Sequence, residues 1–263
     1  MNRALLLVLS CTMPVCFMAA ARAGELTERV SQSLSLHFAG PGEHTLEVRD
    51  IEGDITVVAY DGPDVQMIVD KSLSADNAEE MRAARRDVVL DTGDNAATLH
   101  AIARYPNQQT CGGPNGYTSR PGYHVRFDFT IRVPRTVRLK LCTINDGVVR
   151  VFGSTGDFDI SNVNGRIAMS DVTGSGNAVT VNGAVAAAFV SVPQRSSTFR
   201  TVNGDVVITL PQRPLSSLHM KTFNGKVAND FAAAPAVGEA EKSGVDLTLA
   251  TLNGDVRVLR GSK

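Results

Sequence analysis

The sequence predicts an all-β protein wound as a single-stranded β-helix, or β-solenoid, of about 18–21 residues per coil, with one short α-helix in its N-terminal part. Three observations predict it. A short phrase ending in Asn-Gly returns at near-regular spacing through the second half. The residues two and four after each glycine are apolar, the period of a strand with one buried face. A single stretch, 76–86, carries helical spacing instead.

Taken from the N-terminus, residues 1–23 read as a secretory signal peptide. Arg3 supplies the positive start, Ala4 to Ala20 is apolar but broken by Pro14, and Ala21-Arg22-Ala23 places small residues where a signal peptidase reads them. A membrane anchor needs about 20 uninterrupted apolar residues, which Pro14 denies. A lipoprotein signal at Cys11 would have too short an apolar run before it. The expectation is an exported chain, periplasmic or at the cell surface or secreted, with no transmembrane anchor after cleavage. Cleavage removes Cys11 and Cys16 and leaves Cys111 and Cys142, which are expected to pair in an oxidising compartment. Closing a loop of about 31 residues would contribute roughly 3–4 kcal/mol. Cys111 as a nucleophile finds no histidine near it in sequence.

Residues 24–134 read as a β-rich capping region, continuous with the repeats C-terminal to it. Strands are predicted at His44 to Arg49, Asp54 to Tyr60 and Val65 to Val69. Asp76 followed by Glu79 is a capping pair that opens a helix over 76–86, with Ala78, Met81 and Ala84 at helical spacing. Strands resume near 87–91 and 97–104. His124 to Val133 alternates, with Val125, Phe127, Phe129, Ile131 and Val133 on one face. Between them, Tyr105 to Tyr123 is rich in Gly, Pro, Asn and Gln and holds Cys111, which would tether it to Cys142. Terminal repeats of a solenoid must cover an exposed sheet edge, and this region is expected to do so.

Residues 135–263 carry the repeat. Its phrases are Asn162-Val163-Asn164-Gly165, Thr180-Val181-Asn182-Gly183, Thr201-Val202-Asn203-Gly204, Thr222-Phe223-Asn224-Gly225 and Thr251-Leu252-Asn253-Gly254. Relatives stand at Asp50-Ile51-Glu52-Gly53 and Ile144-Asn145-Asp146-Gly147. From Gly147 the glycines are spaced 18, 18, 21, 21 and 29 residues, with Gly156 and Gly174 at half-period. The Asn-Gly pairs read as turns, since both residues tolerate positive φ. A hairpin meander would explain the half-period. A solenoid explains why the turn chemistry recurs, because stacked coils set each Asn about 4.8 Å from the next, within reach of an amide ladder. The solenoid is the favoured reading, and the asparagines and glycines of the five phrases are its structural turn ladder. The insertion Phe231 to Lys242 accounts for the 29-residue interval as a surface loop.

The phrases Gly53-Asp54-Ile55-Thr56-Val57-Val58-Ala59-Tyr60-Asp61-Gly62 and Phe129-Thr130-Ile131-Arg132-Val133-Pro134, followed by the Asn-Gly-Asp-Val coils, resemble the bacterial "putative adhesin" family of β-strand-repeat proteins, over roughly residues 43–260. The resemblance implies a β-helix-like fold in exported or envelope-associated proteins, some tied to envelope-stress signalling. It brings no catalytic residues.

Length and composition frame the function. The chain has 263 residues, 43% of them apolar, enough for a core and too many for a disordered chain. With 26 basic and 27 acidic side chains the net charge gives no reason to expect nucleic acid or an anionic membrane surface as a partner, since those demand a basic face. No nucleophile elbow, zinc-protease, P-loop, EF-hand or paired-cysteine motif occurs. The histidines His37, His44, His100, His124 and His219 are scattered. Asp157, Asp159, Asp171, Asp205 and Asp255, with Arg150, Arg166, Arg200 and Arg257, would line a wall if coils stack. Such acids could hold calcium or act on a glycosidic bond, but the favoured reading is a solvated face that keeps strands from pairing with other molecules. The absence of Trp and only four Tyr speak against a sugar site. No catalytic, metal or cofactor-binding residue is therefore assigned. The expected function is a non-enzymatic envelope scaffold or adhesin-like binding module, whose partner is a cell-envelope protein or glycan. The alternatives are an envelope-stress sensor that binds a protein, and a β-helix carbohydrate-active enzyme.

Overall fold

A computed structural model describes residues 25–38, 40–95, 97–106, 122–214, 217–231 and 245–261. The predicted signal segment, Cys111 and most of the insertion after Phe231 lie outside these residues. The described elements, in chain order, are β1 (Leu26–Leu36), β2 (Thr45–Arg49), β3 (Ile55–Tyr60), β4 (Val65–Ala75), α1 (Ala78–Asp87), β5 (Val89–Asn95), β6 (Thr98–Arg104) and β7 (Tyr123–Pro134). Then come β8 (Arg138–Cys142), β9 (Val149–Phe152), β10 (Phe158–Ser161), β11 (Ile167–Val172), β12 (Gly176–Val179), β13 (Val185–Phe189), β14 (Ser197–Arg200), β15 (Val206–Leu210), β16 (Ser217–Lys221), β17 (Val227–Asn229), β18 (Asp246–Ala250) and β19 (Val256–Arg260).

The chain is mostly β, in two large sheets that do not close. From β8 onward successive strands alternate between the sheets. The first sheet runs β1-β4-β7-β3-β9-β11-β13-β15-β19-β17, and the second β16-β18-β14-β12-β10-β8-β2-β6-β5. Neighbours within the repeat are parallel and in register, as Ile167 opposite Val185 and Val185 opposite Val206. A hairpin would make them antiparallel, so the meander is excluded for this region. The half-period glycines Gly156 and Gly174 fall on the connections from the first sheet to the second.

Spatial order departs from chain order at both ends of the parallel stack. The strands β18 and β19 pair with β14 and β15, and β16 and β17 are displaced to the outside. The 29-residue glycine interval thus joins Gly225 to a rung that lies between it and Gly204. At the other end β2 and β3 sit inside the ladders, flanked by β6 and β7 on one side and β8 and β9 on the other.

Beyond β6 and β7 the pairing turns antiparallel, through β4 and β1 in the first sheet and β5 in the second. The strand β1 is absent from the sequence reading. Its Leu26, Val30 and Leu34 are interrupted by polar residues, and most of it is exposed. The helix α1 packs on β4 and β7 and buries Met81, Ala83 and Ala84. Its cap is Asn77, not the predicted Asp76–Glu79 pair. The Asn77 carboxamide oxygen accepts from the backbone N–H groups of Glu79 (2.9 Å) and Glu80 (3.0 Å), two of the donors that a helix start leaves without partners.

Between the sheets lies one buried apolar cluster, from Leu46 to Val258. Its rows are set by register. Ile55, Val149, Ile167, Val185, Val206 and Val256 form one row, and all are fully buried. Burial of each such side chain contributes about 1.5–3 kcal/mol. Val227 continues the row but is 52% exposed, because β17 is the last strand of its sheet.

Candidate functional site

From β8 onward each connection from the second sheet to the first carries the repeated phrase or its relative, and each of its four positions has a separate task. The threonine is turned inward and donates to the glycine carbonyl of the neighbouring rung. Thr180 reaches Gly165 (2.8 Å), Thr201 reaches Gly183 (2.8 Å), Thr251 reaches Gly204 (2.9 Å) and Thr222 reaches Gly254 (2.8 Å). Asn162 does the same for Gly147 (2.8 Å). These bonds satisfy carbonyls that the corner removes from the sheet ladder.

The asparagines form a chain of amide hydrogen bonds. Asn164 Nδ2 donates to Asn145 Oδ1 (3.0 Å), Asn182 to Asn164 (2.7 Å), Asn203 to Asn182 (2.8 Å), Asn253 to Asn203 (2.7 Å) and Asn224 to Asn253 (2.8 Å). The column includes Asn145, outside the five phrases, and it places Asn253 between Asn203 and Asn224.

The glycine is required by contact between rungs more than by the turn. A Cβ on Gly204 would stand 2.2 Å from the Gly183 carbonyl oxygen, with φ at +153°. Gly165 is not among the positive-φ glycines, yet its Cβ would stand 1.8 Å from Gly147 O. Gly183, Gly225 and Gly254 meet their neighbours' carbonyls at 2.4, 1.8 and 2.0 Å.

Where aspartate follows the glycine, it accepts a backbone N–H from the next rung. Asp205 accepts from Asp255 N (2.8 Å), Asp255 from Lys226 N (2.9 Å) and Asp54 from Val148 N (2.9 Å). The Lys226 N–H, then the Arg257 guanidinium, hold the Asp255 carboxyl below its ordinary range. Asp157 accepts from Ser175 N (3.1 Å) and pairs with Arg195. Asp171 occupies a left-handed conformation, φ +55°, where β11 slips register against β13. Asp159 stands exposed on β10. Among the described residues no group of three or more His, Cys, Asp or Glu could hold a metal ion.

The remaining position of the phrase faces outward. Val181 and Val202 are each 37% exposed, Leu252 46% and Phe223 76%. The corner therefore presents two adjoining columns, one apolar and one of exposed carboxamides.

The column ends differently at its other end. In the first rung Asp50 takes the place of threonine and Glu52 that of asparagine. Both are buried. Burial pushes the Asp50 carboxyl well above the usual carboxylate range, against backbone N–H bonds from Ile51 and Glu52. Burial also raises Glu52, opposed by His124, whose Nε2 lies 2.6 Å from its carboxylate. For Asp54 burial is outweighed by Arg150 and the Val148 N–H, then Arg126, and its carboxyl is lowered. Tyr105 OH donates to the Val125 carbonyl (3.2 Å) beside this group.

No protein-family model and no curated protein matches the chain. Solved structures do resemble it along most of its length. A "putative cell adhesion protein" from Clostridium sporogenes is similar over 89% of this chain and 100% of its own, at 8% identity and a TM-score of 0.47. A "putative lipid binding protein" and a "putative adhesin", both from Parabacteroides distasonis, each cover 88% of this chain and 97% of their own. Their identities are 12% and 10%, and their TM-scores 0.21 and 0.24.

The other residues singled out from sequence stay dispersed. His37 faces Asp64 (2.5 Å), His44 stacks on Phe38, His100 lies 3.8 Å from Asp91 and His219 3.6 Å from Asp246. Cys142 ends β8, and its expected partner Cys111 is outside the described residues. No described helix is long and apolar enough to cross a membrane. Sequence reasoning missed the threonine column and the Asp50–Glu52–His124 group. The first was visible as a recurring position of the phrase, and the second as the two acids that break it.

Proposed function

We propose that this chain is an exported, non-enzymatic β-solenoid with an adhesin-like role, and that a cell-envelope protein docks along its Asn-Gly corner. In this reading one coil is a strand of each sheet, and the parallel in-register ladders support it. The observation that carries the binding role is the outward apolar column Val181, Val202, Leu252 and Phe223 beside the carboxamide column. A corner needs the threonine, asparagine and glycine for its own stability. It has no structural need for a row of exposed branched and aromatic side chains, and such a row on a rigid frame marks an interaction surface. The acids support a non-enzymatic reading, because Asp54, Asp157, Asp205 and Asp255 are engaged by backbone N–H groups of adjacent rungs. An apolar row with a single aromatic suits a protein better than a sugar, which stacks on aromatic platforms.

The test compares the wild type with the Phe223→Ser/Leu252→Ser double variant, both immobilised and offered envelope protein and purified envelope polysaccharide in separate arms. The expected result is saturable protein capture that falls at least tenfold in the variant, with an unchanged circular-dichroism spectrum. Equal capture by both proteins, or capture of polysaccharide alone, would overturn the proposal.

A further inference from the structure

At the far end of the second sheet, away from the Asp50 group, lies an open groove of about 480 Å³ lined by Arg200, Leu218, His219, Met220, Lys221, Thr248, Leu249 and Ala250. Register explains its shape. Arg200 on β14, Ala250 on β18 and Lys221 on β16 are direct neighbours across three adjacent strands. The next outward row is Thr198, Thr248 and His219. With parallel strands about 4.8 Å apart, the backbone positions of Arg200 and Lys221 stand about 10 Å from each other, with Ala250 between them. Arg200 and Lys221 make no ion pair with a carboxylate among the described residues. On the same strands Asp246 faces His219 at 3.6 Å. This local positive charge stands in a chain whose formal net charge is −1.

We propose that this groove binds a small organic oxyanion, a molecule carrying a phosphate, sulfate or carboxylate. Arg200 offers a planar fork of donors that matches two oxygens of such a group, and Lys221 a point charge. Thr248 adds a hydroxyl, and the Ala250 methyl leaves the space between the cations open. A groove of this volume falls in the range of small-molecule sites and exceeds a lone ion, so the anionic group is carried on a larger body. The site faces outward from the second sheet and adjoins the Asn-Gly corner, since Arg200, Ala250 and Lys221 each directly precede the threonine of a phrase, but it uses none of the residues of the apolar column.

The experiment titrates the protein with inorganic phosphate, sulfate and glucuronate by calorimetry and thermal melting. Parallel arms use vesicles of phosphatidylglycerol and of phosphatidylcholine. The expected result is saturable binding of at least one oxyanion and a rise in Tm of about 3–6 °C at ten times Kd. Binding to phosphatidylglycerol vesicles but not to phosphatidylcholine, lost in the same variants, would also support the site and identify a lipid headgroup as its source. In Arg200→Ala/Lys221→Ala binding should weaken at least tenfold. In Ala250→Glu, where a tethered carboxylate fills the gap, it should vanish while the melting temperature of the free protein rises. No saturable binding in any arm, or binding that survives both variants, would overturn the proposal.

Discussion

The threonine, asparagine and glycine of the Thr-x-Asn-Gly phrase answer to neighbours 15 to 50 residues away in sequence, which sets what single changes should cost. Thr201→Val keeps the shape but strips the donor from the Gly183 carbonyl, 2.8 Å away. Leaving a buried acceptor unpaired costs about 1–3 kcal/mol, and urea unfolding should show that loss. Gly204→Val should cost about 3 kcal/mol or more, since its Cβ would stand 2.2 Å from a backbone oxygen. A melting temperature like the wild type's would show that the rungs are not in contact there. Asp50 is a different case. Burial favours its protonated form in the folded chain, so the folded chain holds a proton that the unfolded chain releases above about pH 4. The wild type should therefore lose stability as pH rises from that point through the raised folded value. Asp50→Asn removes this dependence, so its stability relative to the wild type should increase with pH. Denaturation at pH 4, 5.5 and 7 checks the slope, and a flat difference would refute the burial argument. Asparagine, glycine and the apolar rows could be read from sequence because each recurs. The partner of Thr201 could not, since nothing in the phrase says which rung lies beside it.

Strands of the parallel stack were legible wherever alternation was clean. The segment His124 to Val133 reappears as β7, with Val125, Phe127, Phe129, Ile131 and Val133 all buried. Alternation fails at edges, where one face has nothing to cover it. That is why β1 escaped notice and why Val227, apolar and in phase, is half exposed. The helix was legible by its spacing, but its start was not. Asp76 and Asn77 are both good caps by composition, and only backbone geometry selects the second. Asn77→Ala should cost about 0.5–2 kcal/mol, while Asp76→Ala should leave stability within about 0.5 kcal/mol of the wild type. Equal losses in the two variants would mean that the cap is wrongly assigned.

The order of rungs was beyond any reading of spacing, because a parallel ladder accepts any strand of matching phase. The phases of β17 and β19 match equally well. Packing at the end decides between them. The strand β19 offers Val256 and Val258 to the core, whereas β17 offers Val227 and Asn229, and a polar residue in a core row is tolerated best where the row stops. This arrangement makes a prediction that chain order would not. Removing residues 213–244 deletes β16 and β17 but leaves residues 211, 212 and 245 to join β15 to β18. That connection has three residues, as many as the 173–175 link from β11 to β12. If β18 and β19 already lie on β14 and β15, the shortened chain keeps every ladder except those of β16 with β18 and β17 with β19. It should fold with a cooperative transition, and amide exchange should still protect Val206 and Asn253, whose N–H groups donate to the carbonyls of Asp255 and Val202, both retained. Were the rungs instead stacked in chain order, the deletion would take out an internal coil and force β18 and β19 to find new partners. A broad transition, or loss of protection at Val206, would show that.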